Sequence, residues 1–298
     1  MRIAEDGSRP TLWAAGPVAA AVSGQTGAAL GATLLPLLGT PAVVGLRQTM
    51  AAIVLLPALL DPRHPVRWRS TWGAGLLGLL VIGMNVTVYE GISRIGLGLT
   101  ITLQFLGPLS VALLGSRRPV DLGCAVAALA GVVLLTGTVA GTDPLGIVFG
   151  LLAGLGWALY ILLGRHAAGQ LHGLQPSALS SLVSAICTLP LLLLALPRIP
   201  ADRLLPVLGL GLAAGVLSSA LPYALDIAVL RRIAQRLFGV LQSVHPAAAA
   251  LAGLVVLEER LSPAELVGLV VVSGANVVAV AGAGRSRRTP SGLPEATP

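Results

Sequence analysis

Residues 94–108 read RIGLGLTITLQFLGP, and residues 232–246 read RIAQRLFGVLQSVHP. Arg94-Ile95, Gln104 and Pro108 of the first stretch recur as Arg232-Ile233, Gln242 and Pro246 of the second, with identical gaps. The seventh residue past each proline is a glycine, Gly115 and Gly253. Both stretches lie in apolar runs long enough to cross a bilayer. The shared positions carry Arg, Gln and Pro, which Leu/Ala-rich helices do not come to share through composition. A segment doubled at matching places in two halves points to internal duplication, and in a membrane chain to a transporter built from repeats.

Working outward from the doubled stretch, composition places the chain in a membrane. Hydrophobic residues make up 55% and charged ones 10%, which a soluble globule does not support. All basic side chains are Arg, and the net charge of +7 sits in short loops and tails, so it argues for no nucleic-acid partner. Cys124 and Cys187 fall in separate apolar runs without metal-ligand spacing and read as small packing residues. No metal or cofactor is expected.

A hydrocarbon core of about 30 Å needs about 20 apolar residues per helix. On that scale the chain reads as ten spans, at about 12–37, 42–60, 71–92, 95–115, 119–139, 144–163, 175–197, 204–229, 233–257 and 263–283. Breaks such as Asp61-Pro62-Arg63-His64-Pro65 and Gly141-Thr142-Asp143-Pro144 are rich in helix breakers and polar groups. The first run is read as a span and not as a cleavable signal. The expected fold is an all-α integral membrane protein of ten transmembrane helices in two five-helix repeats, residues 12–139 and 144–283. Residues 284–298 read as a disordered cytoplasmic tail. An odd number of crossings per repeat inverts the second copy relative to the first. Small-residue pairs at helix-packing spacing, Gly27 with Gly31, Gly150 with Gly154 and Gly211 with Gly215, permit close backbone contact.

Positively charged short loops stay in the cytoplasm. With the N-terminus inside, 14 arginines collect on the inner side, among them Arg63, Arg117, Arg118, Arg165, Arg231 and Arg236. Only Arg94, Arg198, Arg203 and Arg260 fall outside, and Arg47 lies within a span. Both termini are therefore expected in the cytoplasm and the loop near Thr142 outside.

Further residues carry a family resemblance. Phe105-Leu106-Gly107-Pro108-Leu109 with Val111-Ala112, Ser116-Arg117-Arg118-Pro119-Val120-Asp121, Gly83-Met84-Asn85 and Ala220-Leu221-Pro222-Tyr223 are the most specific pieces. Over residues 12–283 the chain resembles the EamA-type branch of the drug/metabolite transporter superfamily, and within it the bacterial threonine/homoserine exporters. The resemblance implies ten helices in two inverted repeats and the movement of small metabolites, often amino acids, outward. Members of that family often carry Glu where this chain has Gln104 and His245. Those departures remove two partners for an ammonium group or a proton and bear on substrate more than on fold.

Ionisable groups within spans mark a pathway or a buried pair. Glu90 and Asp226 lie near the ends of their spans, so each either serves substrate and proton or pairs with Arg94 or Arg231. Arg47 lies about 9 Å along its helix from Pro41 at about 1.5 Å per residue. It suits a substrate carboxylate, or else it snorkels or neutralises a neighbour. In each Gln-x3-Pro unit the proline frees the carbonyl of the glutamine itself. Gln104 and Gln242 therefore offer a side-chain amide and a backbone oxygen at one depth, or else Pro108 and Pro246 mark kinks satisfied by a neighbouring helix. His245 is a candidate for proton coupling or a hydrogen-bonded packing residue. Asn85, Tyr89, Trp157, Tyr160, Tyr223 and Ser243 are candidate cavity-lining residues, although Trp and Tyr also anchor helices at interfaces.

The expected function is a secondary transporter, no enzyme, exporting small amino acids or related metabolites across the cytoplasmic membrane with proton coupling. The expected partners are a small-molecule substrate, protons and the lipid bilayer, with a homodimer left open. An EamA-type carrier for another metabolite or drug is the alternative within that class. An intramembrane enzyme would need a catalytic constellation such as His-Glu-x-x-His, and a scaffold or sensor would need an output domain. The sequence offers neither.

Overall fold

A computed structural model of the chain describes residues 10–66, 71–113, 119–137, 143–222, 225 and 244–283. Regular structure among them is helical throughout. In chain order α1 is Pro10–Ala32, α2 Leu35–Leu38, α3 Thr40–Leu55, α4 Trp72–Ile95, α5 Leu97–Gln104 and α6 Leu106–Leu113. These are followed by α7 Pro119–Gly137, α8 Pro144–Gln170, α9 Gln175–Ala195, α10 Leu204–Gly215, α11 His245–Val256 and α12 Pro263–Ala283. A π-helical turn, Val216–Ala220, continues α10.

Five stretches among the described residues are long and apolar enough to cross a membrane: Thr40–Ala58, Trp72–Ile95, Pro144–Gly164, Gln175–Arg198 and Ala201–Ala220. Shorter apolar helices lie at Leu122–Gly131, His245–Val256 and Pro263–Ala275. The bundle turns large apolar side chains such as Leu205, Val255 and Leu129 outward, as a lipid-facing surface requires. The chain is a multi-pass membrane protein.

Local chemistry sets the helix ends. Pro41, Pro144 and Pro176 stand in the first turns of α3, α8 and α9, where a missing N–H leaves no bond unmade. The Asp143 carboxylate accepts the Leu145 N–H at 2.9 Å and caps α8. Gly39 and Gly96 turn the corners into α3 and α5 at φ of +74° and +80°, a backbone region that side chains disfavour.

Three runs are broken where the sequence suggested continuous spans. The first bends at Thr33-Leu34 before α2, because the Pro36 ring displaces the carbonyl one turn back, and the Leu34 N–H bonds Gly31 instead at 3.1 Å. The fourth is interrupted at Phe105, where Pro108 cannot donate to the Gln104 carbonyl. The eighth widens into the π turn, a feature the sequence did not announce. The first part of the ninth, with Gln242, lies outside the described residues, and α11 starts immediately before Pro246.

Helix pairing gives the bundle its interior. The most extensive contacts run between α4 and α8, α7 and α12, and α3 and α9. On one side α1 packs against α10, the π turn and α11; on the other, α8 packs against α4, α5 and α6. Further pairs are α3 with α10, α4 with α9, and α5 with α11. The glycine pairs lie at these crossings. A Cβ at Gly150 would come 2.8 Å from Leu103, and one at Gly215 would come 2.7 Å from the Arg47 carbonyl. The largest buried cluster joins Ala28 and Ala29 of α1, Val43 and Leu46 of α3, Tyr89 and Ile92 of α4, and Phe105 beside Ala153 of α8.

Candidate functional site

The sequence of α3 places one charged residue, Arg47, beside Gln48 in a mostly apolar helix, and the fold buries both. Arg47 is 5% exposed, Asn85 4% and Tyr89 0%. Arg47 donates through Nη1 to the Tyr89 hydroxyl at 3.3 Å and through Nη2 to Oδ1 of Asn85. The Asn85 amide nitrogen donates to the Val81 carbonyl at 2.7 Å, which turns Oδ1 toward the guanidinium. The Tyr89 ring also lies beneath the cation, its centroid 5.4 Å from Cζ. Among the described residues only neutral groups answer the charge. The ion pairs among the described residues are His64 with Asp61 and Arg94 with Glu90 and Asp143, and the buried Nε of Arg47 has no hydrogen-bond partner.

A second polar cluster gathers four helices. Gln25 of α1 bonds Nδ1 of His245 at 3.1 Å, and the Gln25 carbonyl oxygen is buried without a partner. The His245 ring stacks 5.5 Å from Phe105 and stands 5.4 Å from Trp157, and Phe105 meets Trp157 edge-on at 5.0 Å. Residues from α1, the α5–α6 break, α8 and α11 therefore share one point. Gln104, 4% exposed, precedes that break, and its carbonyl faces α8, where a Cβ at Gly154 would lie 3.1 Å away.

At one end of the bundle opens a cavity of about 500 Å³ lined by Pro36, Thr40, Glu90, Ser93, Leu257 and Glu259 among others. Glu90 pairs with Arg94 at 3.7 Å, and Arg94 donates to Asp143 at 2.8 Å, tying the end of α4 to the start of α8. Glu259, in the connection between α11 and α12, accepts the Leu97 N–H at 2.8 and 2.9 Å.

Of the candidates named from sequence, Arg47, Asn85 and Tyr89 come together, and so do Trp157 and His245. Tyr160 is placed elsewhere, against the cluster of Ala74, Leu77, Ala167 and Leu171. Glu90 is at the cavity and already paired. Gln242, Tyr223, Ser243 and Asp226 lie outside the described residues, as does Gly115. Sequence reasoning did not single out Gln25 for the site, nor Gln48, whose amide is wholly buried with neither atom bonded, nor Glu259. A glutamine inside an apolar span was the available signal for the first two; a loop glutamate gives none.

Known proteins resemble this chain over most of its length. The threonine/homoserine exporter RhtA of Escherichia coli (strain K12) is 38% identical over 261 residues, covering 85% of this chain and 86% of that protein. The chain belongs to the EamA-like transporter family. The model of that family matches residues 144–280. The threonine/homoserine exporter RhtA of Salmonella typhimurium (strain LT2) is 37% identical over the same share of both chains. A crystal structure of a protein 21% identical covers 90% of this EamA-family chain and 99% of its own, with a TM-score of 0.55, a likeness of fold.

Proposed function

We propose that this chain is a secondary carrier that exports small amino acids of the threonine/homoserine type across the cytoplasmic membrane by alternating access, coupled to protons. The observation that carries the reading is Arg47, a buried guanidinium held by an amide and a phenol and answered by no carboxylate among the described residues. A buried cation without a counter-ion is unfavourable unless an anion visits it. The α-carboxylate of an amino acid has the charge and the planar two-oxygen geometry that a guanidinium matches. The names of the RhtA relatives agree with that class of substrate.

Helix pairing supports two inverted repeats, residues 12–139 and 144–283. Exchanging α1 with α8, α3 with α9, α4 with α10 and α7 with α12 turns the α4–α8 and α4–α9 contacts into the α1–α10 and α3–α10 contacts. The α3–α9 and α7–α12 pairs map onto themselves, as a two-fold axis between halves requires. Such symmetry lets one bundle rock against the other around a midplane site. On this reading Gln104 and Gln242 supply neutral acceptors near mid-span, and His245, bonded to Gln25, is the group placed to carry a proton. The arginine bias sets both termini inside.

Competition in proteoliposomes tests the carboxylate rule. Threonine and homoserine should block counterflow of labelled threonine, while threoninol, which keeps the ammonium and hydroxyl but lacks the carboxylate, should not. Equal competition by threoninol would remove Arg47 from the site.

A further inference from the structure

Glu259 occupies a slot that several features of the chain combine to make. Both carboxylate oxygens accept from Leu97, the first residue of α5, and Oε2 lies 3.5 Å from the Gly98 N–H as well. A Cβ at Gly96 would come 3.1 Å from the carboxyl group, and one at Gly253 would come 2.5 Å from Oε2, so glycine on both sides leaves its room. Glu258, at φ +58°, and a bond from the Glu259 N–H to the Gly253 carbonyl at 3.0 Å turn the side chain back toward α5. The contact joins the start of α5 to the connection between α11 and α12, one from each proposed half, beside the cavity of about 500 Å³.

We propose that Glu259 is a latch between the two halves at the outer end of the bundle, and that it closes with a proton taken up from the adjoining cavity. The latch rests on the carrier reading for its purpose, since the outer ends of the α5 and α11 segments must part for a substrate to leave. The surroundings are acidic. Glu90 lines the same cavity from α4, Glu265 stands in the first turn of α12, and Glu258 flanks the latch with Arg260 on its other side. Arg94 is engaged by Asp143 and Glu90. Burial outweighs the Leu97 and Gly98 N–H groups and holds the Glu259 carboxyl above its ordinary range, with Glu265 adding to the rise. A carboxyl that binds its proton more tightly when seated than when free favours the seated form as pH falls. That preference is lost as pH rises through the raised value. Protons arriving from outside would close the outer end behind a departing substrate.

Pulsed electron paramagnetic resonance on the full chain in nanodiscs tests this, with nitroxides at Ser93→Cys and Arg260→Cys in a Cys124→Ala, Cys187→Ala background. With Glu259 present, the distance distribution should be short and narrow at pH 4.5, the ordinary glutamate value, and longer and broader at pH 8. Glu259→Gln, neutral but able to accept the Leu97 N–H, should give the short, narrow distribution at both. A Glu259 protein unchanged between the two pH values, or a Gln variant that follows the same pH response, would sink the latch. The readout needs no substrate. A distance response without amino-acid flux would retire the export reading alone, and flux without a distance response would retire the latch alone.

Discussion

A guanidinium 5% exposed among apolar helices shapes the chemistry available at the centre of this protein. Lysine at position 47 would keep the charge but present one point donor in place of a planar fork. Arg47→Lys should therefore lower the initial rate of threonine transport about tenfold or more, equivalent to about 1.4 kcal/mol, through loss of the paired geometry. Tyr89→Phe keeps the ring under the cation and removes one acceptor, worth about 1 kcal/mol, so it should do less harm. Initial rates normalised to membrane expression rank the two, and a larger loss in Tyr89→Phe would contradict this account of the cluster. Arg47, Asn85 and Tyr89 were each legible as polar groups in apolar runs. Their meeting was not, because the register between α3 and α4 is set by packing and has no counterpart in residue spacing. Glu259 was illegible for a related reason: its partner is a backbone N–H in another helix.

At the scale of elements, proline and glycine were the most readable letters. The Gln-x3-Pro unit at Pro108 offered a kink as one of its two readings, and the structure interrupts the fourth run at Phe105, while most of the run before Pro246 lies outside the described residues. The close crossing of α6 and α8 gives that break its context. A Cβ on Gly107 would overlap the Gly154 carbonyl, whereas one on Gly154 would come 3.1 Å from the Gln104 carbonyl. Overpacking of this kind typically costs about 1–3 kcal/mol. Gly107→Ala should lower the thermal unfolding temperature of the purified protein more than Gly154→Ala does, and the reverse order would place the tight contact elsewhere. The π turn at Val216–Ala220 was not readable, since it depends on α1 pressing Gly27 against the Ser218 backbone, where a Cβ would come 2.6 Å from the nitrogen.

Over the whole molecule, hydropathy and the arginine pattern made the membrane class readable, and the doubled stretch suggested the two halves. Reporter fusions after residues 68, 142 and 290 should read cytoplasmic, external and cytoplasmic, and the opposite sign at the first and last would reverse the assigned faces. The pairing of helices could not be read from hydropathy, which reports burial in lipid and in protein alike. Function at this scale reduces to whether the buried cation serves a moving carboxylate. Efflux of labelled threonine and homoserine from proteoliposomes, with and without an inward proton gradient, measures that most directly. Wild-type protein should release both faster than protein-free liposomes, faster again with the gradient, and Arg47→Gln should fall to the protein-free rate. Wild-type release no faster than from empty liposomes, or unchanged in Arg47→Gln, would contradict it.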